Sequence, residues 1–253
     1  MNYEKFNRLK FTLWRQVITI CTLTTLFSAS LLSVIYPPEA QAQFGGIFNR
    51  PRPEGAASGR SAGGATRSQC SQLETKNLIA LVPQSNEGLT TEEHPKFWFY
   101  VPFGKSSQSP PAQLRLLDEQ KKSVLSKPLE LSLPDKEGIV YFSLPSTEKP
   151  LSVDQRYNWY FTITCVNEQG TQTKIDVHGW IKRVDLDSSL AERLKNTKPE
   201  DKYIPYLENN IWYEALSQLV EYRTNHQKEW RDFLSLYNLQ NVAPDPISEL
   251  KAF

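Results

Sequence analysis

Histidine and cysteine are scarce in this 253-residue chain, which has three of each and a single methionine. The histidines, His94, His178 and His226, form no pair with metal-ligand spacing, and Cys70 and Cys165 are better spent on a disulfide, so a zinc site lacks ligands. Phosphate-cradling loops are absent too: there is no G-x-G-x-x-G and no complete G-x-x-x-x-G-K-S/T run. Charge of one sign is also missing, with 29 Lys and Arg against 28 Asp and Glu. A near-neutral chain has no global electrostatic attraction for nucleic acid or for an anionic membrane. No cofactor is therefore expected, and no catalytic or metal-binding constellation is found. The carboxylates Asp118, Glu119, Asp135, Glu137 and Asp154 fall in expected turns, where solvated charge is the plain reading. Glycosidase carboxylates meet only in the fold, so an envelope hydrolase stays open as an alternative.

What is present begins with an export signal. Lys5, Arg8, Lys10 and Arg15 face a single acid, Glu4, before residues 17–36 run without any charge. Pro37 and Pro38 break that run, and Ala40-Gln41-Ala42 supplies the small residues of a signal-peptidase site. Residues 1–42 are read as a cleavable signal peptide, with a retained anchor as the rival because the uncharged run is long enough to span a bilayer. Lipoprotein processing is set aside because Cys21 follows Ile20 inside the apolar run. The expected location is periplasmic or extracellular, with no stable membrane span after cleavage. Cleavage takes four basic and two acidic residues away, moving the net charge from +1 to −1. It also leaves Cys70 and Cys165 as the only cysteines, and two cysteines in an oxidising space most simply form one disulfide. That bridge closes 95 residue steps (165 − 70), worth about 4–5 kcal/mol in the chain-entropy model.

Residues 43–69 read as a disordered linker of Gly, Ala, Pro, Ser and Arg, with little to bury. Gly59-Arg60-Ser61-Ala62-Gly63 formally fits G-x-S-x-G, but that chemistry needs a strained strand-to-helix turn, and no strand precedes it here.

Residues 70–186 change to short runs of period two, separated by Pro, Gly, Asp and Asn. Strands are expected near 78–83, 96–102, 113–117, 122–126, 129–133, 138–144, 156–166 and 174–184. The pattern predicts a mainly β fold, an immunoglobulin- or fibronectin III-like β-sandwich. Leu151 stands six residues before Tyr157 at the entry to a long strand. This resembles the tyrosine corner of those domains, where a tyrosine hydroxyl bonds back to the chain. Tyr157, Trp159, Phe161, Ile163 and Cys165 then share the inward face. On the next strand Asp176, His178, Trp180 and Lys182 point outward, with Asp176 and His178 as a surface pair. Residues 96–102 are apolar on both faces, which calls for cover on both sides.

Residues 187–253 can supply that cover as a small C-terminal helical cap. Ser189-x-x-Glu192 reads as a capping box, residues 198–201 as a charged turn, and 210–223 as an amphipathic helix capped by Asn209 or Asn210. Its stripe is Ile211, Trp212, Ala215, Leu216, Leu219 and Val220; residues 227–238 repeat the pattern with Trp230, Phe233, Leu234 and Tyr237. Both helices are expected to fold over Trp98, Tyr100 and Trp180. The aromatics Trp98, Tyr100, Tyr160 and Trp180 thus form one face, either a packing seam or an exposed platform for sugar rings or a partner.

Eight segments, in order, resemble a bacterial family found mainly in cyanobacteria, domain of unknown function 928. They are GGATR at 63–67, Cys70, LIALVP at 78–83, Thr91 with HPKFWFYVPF at 94–103, GIVYFSLP at 138–145, RYNWYFTITC at 156–165, HGWIKRV at 178–184 and NNIWYEAL at 209–216. The resemblance implies an exported protein and conveys no activity. The reading that follows is a non-enzymatic interaction or assembly module of the cell envelope, with an envelope protein or glycan as partner. A carbohydrate-binding module for wall glycan is the first alternative, an envelope hydrolase the second.

Overall fold

Alternating apolar side chains make strands whose two faces meet different surroundings, and the computed structural model arranges them as two stacked sheets. It describes residues 60–63, 77–105, 111–166 and 170–253. One sheet has the order β1 (Ala62–Gly63), β2 (Leu78–Ala80), β4 (Lys96–Val101), β7 (Gly138–Ser143) and β10 (Ser248–Glu249). The other has the order β3 (Glu87–Thr90), β9 (Gln172–Arg183), β8 (Arg156–Val166), β5 (Ala112–Leu117) and β6 (Leu129–Leu131). The β4–β7, β5–β8 and β8–β9 ladders are antiparallel, whereas β3 runs parallel to β9 and β10 parallel to β7. Among the described residues the protein is therefore mainly β, two five-stranded sheets with helices gathered after Asp187.

The inner faces interlock through aromatic rings. Phe99 stacks on Phe161 at 4.1 Å and meets Trp159 edge-on at 5.8 Å, while Phe97 meets Trp159 at 6.0 Å. Such pairs add about 0.5–1.5 kcal/mol beyond the area they bury. Trp159, Phe161, Ile163, Ile175, Val177 and Ile181 are all buried, as the period of two along β8 and β9 requires. At the entry to β8, the Ser152 N–H donates to the Tyr157 hydroxyl at 2.9 Å and Leu151 is fully buried.

Four α-helices follow: α1 (Ser188–Asn196), α2 (Tyr203–Glu208), α3 (Trp212–Glu221) and α4 (Gln227–Ser235). They close one open edge of the sandwich. Trp212 donates its indole N–H to the Leu81 carbonyl at 3.0 Å, and the Tyr213 ring lies 5.9 Å from Phe97. Tyr213 also accepts from the Trp159 indole at 3.1 Å, so α3 reaches the inter-sheet core. Phe233 of α4 is buried against Trp212, Trp230 and Tyr237. The expected stripe, Ile211, Trp212, Ala215, Leu216, Leu219 and Val220, is buried throughout.

Several expectations are corrected. Residues 122–126 hold only a bridge, Leu117 to Ser123, because Lys121 turns with φ of +63° and Lys122 N–H bonds to Asp118 Oδ1 at 2.8 Å. The cap of α1 is Asp187, not Ser189. Its carboxylate accepts from the Leu190 N–H at 2.9 Å and from the Ser189 hydroxyl, and those bonds lower its pKa. Neither asparagine caps α3: Asn209 donates back to Pro205 O at the end of α2, Asn210 turns with φ of +61°, and Ile211 takes the cap position. Residues 199–201 are a 3-10 turn leading into α2, which the turn reading of 198–201 left out. The segment read as linker, 43–69, contains β1. There Arg60 exchanges two backbone bonds with His178, and Ala80 N–H bonds to Ser61 O. Residues 60–63 therefore pair with β9 of one sheet and β2 of the other. That extended edge places Ser61 in no nucleophile elbow. The remainder of the expected signal and linker, and Cys70, lie outside the described residues.

Candidate functional site

The four aromatics expected on one face belong to two sheets. Trp98 and Tyr100 lie on the outer face of the β4 sheet and are 4 % and 3 % exposed. Trp98 packs on Tyr141 of β7 at 4.9 Å, and Tyr100 sits beneath a groove with Ile79, Tyr237, Leu239 and Val242. Neither offers a ring face to solvent. Tyr160 and Trp180 lie instead on the outer face of the β8–β9 sheet and are half-buried. The helices thus cover part of the expected set: they border Tyr100 and leave the Trp180 face open.

That open face is a ladder of cations and rings. Arg156 lies over Trp180 at 4.7 Å and Arg115 over Tyr160 at 5.1 Å; His178 meets Tyr160 at 5.0 Å. Each cation–ring contact at such an exposed place is worth about 0.5–1 kcal/mol. Glu87 accepts from Arg156 through both carboxylate oxygens, at 3.0 and 2.8 Å, which fixes the guanidinium plane on the indole. Asp176 stands 3.3 Å from His178 Nδ1 and 3.9 Å from Arg60. Burial lowers the His178 pKa; Asp176 acts against that shift and Arg60 with it. The pair is a half-buried surface pair.

A second place was not read from the sequence. Glu214, in the first turn of α3, is 7 % exposed. Its Oε1 accepts from the Thr90 hydroxyl and from the N–H groups of Thr91 and Glu92, at 3.2 and 3.3 Å for the two amides. Its Oε2 is buried and has no hydrogen-bond partner. Burial pushes the carboxyl up to about 7, against the Thr90 hydrogen bond and with help from the nearby Glu92 charge. Glu214 lines a cleft of about 230 Å³ together with Glu92, His94, Lys96, Tyr206 and Glu221, among others. The available signal was the first turn itself. In Ile211-Trp212-Tyr213-Glu214-Ala215-Leu216 the acid stands alone among apolar and aromatic residues, and all six are buried.

Among the described residues, no group of three or more His, Cys, Asp or Glu could hold a metal ion, and no helix is long and apolar enough to cross a membrane. His94 is engaged with the Glu148 carbonyl at 3.1 Å, and His226 stands 3.4 Å from Asp201, far from the other two histidines in the chain. Cys165 is disulfide-bonded, and its expected partner Cys70 lies outside the described residues.

A family model described as Domain of Unknown Function (DUF928) matches residues 62–247. No curated protein and no solved structure matches the chain.

Proposed function

The chain belongs to the DUF928 family, whose description assigns no activity, and we propose from its own geometry that it is an exported, non-enzymatic interaction or assembly module of the cell envelope. The observation that carries this reading is the ladder on the β8–β9 sheet, where Arg156 caps Trp180 and Arg115 caps Tyr160. Arginine and aromatic side chains are the groups that most often anchor protein interfaces. A sugar ring needs a bare aromatic face, and Arg156, held by Glu87, already occupies one face of Trp180. A protein surface with a carboxylate fits better, because it can pair with the guanidinium and still cover the indole. Export is supported by the basic, apolar and Ala-x-Ala pattern of residues 1–42. The disulfide-bonded state of Cys165 supports an oxidising compartment and a bridge to Cys70. The Ser152–Tyr157 corner supports an immunoglobulin-like descent for the sandwich.

The test is affinity capture from solubilised envelope with wild type and with the double variant Tyr160→Ala, Trp180→Ala. A partner retained by wild type and lost by the folded variant is the expected result. Equal retention by both, or no partner with either, would sink the proposal.

A further inference from the structure

The Glu214 cleft combines an unmet acceptor with an excess of negative charge. Oε2 is the buried atom without a hydrogen-bond partner, while Oε1 already takes three donors. A buried carboxylate oxygen without a donor is costly unless it is protonated or a ligand supplies one. Glu92 and Glu221 line the same cleft. The charges of Glu214 and then Glu92 add to burial in raising the Tyr206 pKa, which places that ring beside both acids. The basic side chains at the rim are directed elsewhere. Lys96 Nζ lies over the Tyr141 ring at 5.3 Å, and His94 Nε2 is engaged with the Glu148 carbonyl. Tyr213 is committed to the core, accepting from Trp159.

We propose that this cleft binds a primary ammonium group, which donates to Glu214 Oε2 and rests against Tyr206 under the negative potential of Glu92 and Glu221. Three properties select that chemistry. A metal ion needs several ligands, and no suitable group of three occurs among the described residues. A guanidinium binds best as a fork across both oxygens of one carboxylate, and Oε1 of Glu214 is already filled by Thr90, Thr91 and Glu92. An ammonium is a compact point donor that needs only the one unpartnered oxygen, and its charge is attracted to an aromatic face. The cleft, at about 230 Å³, has room for such a head and a short alkyl stem.

Binding of the cation favours the ionised carboxylate, so near pH 6 it releases a proton from Glu214, whose carboxyl titrates at about 7. The groups facing it that also carry or change charge are Glu92, His94, Lys96, Tyr206, Tyr213 and Glu221.

The experiment is calorimetric titration of the purified protein with n-butylammonium, with n-butylguanidinium and n-butanol as matched probes. Saturable binding is expected for the ammonium, about tenfold weaker for the guanidinium, with none for the alcohol. At pH 6, repeating the titration in buffers of different ionisation enthalpy should reveal proton release by wild type. Glu214→Gln should remove that release and weaken binding by about tenfold or more. Should Glu214→Gln fail to fold, the exposed rim variant Glu92→Gln takes its place and should weaken binding about threefold. No saturation by the ammonium, equal binding of the guanidinium, or binding without proton release would each overturn the proposal.

Discussion

Replacing Glu214 by Gln separates the burial of a carboxyl from the bonds it makes. The amide keeps an acceptor for Thr90, Thr91 and Glu92 but carries no titrating proton. In the wild type, burial moves the carboxyl from its ordinary 4.5 to about 7. At 1.36 kcal/mol per pH unit, that difference corresponds to about 3 kcal/mol between the protonation states. The sign follows from proton binding. Between pH 4.5 and about 7 the folded protein keeps a proton that the unfolded chain has lost, so folding stability falls as pH rises through this window. Below and above it, the contribution of this group is flat. Other ionisable groups, including His178 with its lowered pKa, cancel in the difference between wild type and variant. Urea unfolding followed by tryptophan fluorescence, at intervals from pH 4.5 to 8, should therefore show Glu214→Gln gaining about 3 kcal/mol relative to wild type across the range. A difference constant to within about 1 kcal/mol would refute the burial argument. A trend of opposite sign would show that the three donors on Oε1 outweigh desolvation.

The tyrosine corner and the sheet interior give two further tests. Tyr157→Phe removes the acceptor of the Ser152 N–H and should cost about 1–2 kcal/mol in the same urea assay; unchanged stability would mean that water replaces the hydroxyl. Gly179→Ala puts a Cβ 2.7 Å from Trp159 Cζ2 and 3.1 Å from the Asn86 carbonyl. It should destabilise by about 1–3 kcal/mol through overpacking, and a thermal midpoint equal to wild type would show that Trp159 has room to move.

The long strands were legible because their pattern is local. In β8 and β9, every second residue from Tyr157 to Ile163 and from Ile175 to Ile181 faces the core, Gly179 among them where the Trp159 ring fills the place of a side chain. β3 was not legible: Glu87–Thr90 has only Leu89 as a large apolar residue, and its pairing partner, β9, lies about 90 residues later. A four-residue parallel strand depends on a neighbour that sequence alone does not place. The same holds for β1, two small residues fixed by bonds through Arg60 and Ser61. The positions of α3 and α4 were legible from their stripes, whereas the six-residue α2 was too short to show one; the caps were not legible, because several nearby polar residues compete for each end. Of the candidate sites, Tyr160 and Trp180 were placed on the correct face, yet the grouping with Trp98 and Tyr100 failed. Alternation assigns a residue to a face of its own strand and does not say which sheet that strand joins.

The two outer faces have opposite fates, and their composition accounts for it. The β4 sheet presents Ile79, Trp98, Tyr100 and Tyr141, rings and an aliphatic chain with few charges among them. Leaving such a face in water is unfavourable, and the chain after α4 returns to it. Tyr237 donates to the Val82 carbonyl at 2.6 Å, Leu250 is buried with its N–H on the Tyr141 carbonyl, and β10 adds a strand beside β7. The β8–β9 sheet instead presents Arg115, Arg156, Tyr160, His178, Trp180 and Lys182. Here Arg156 shields Trp180 and Arg115 shields Tyr160, and Arg156, Lys182 and His178 are paired with the carboxylates of Glu87, Asp154 and Asp176. The first face needs cover to be stable; the second is stable without it. A partner that docks on the second face therefore meets a surface ordered in advance by Glu87 and Asp176, so little side-chain entropy remains to be lost on binding.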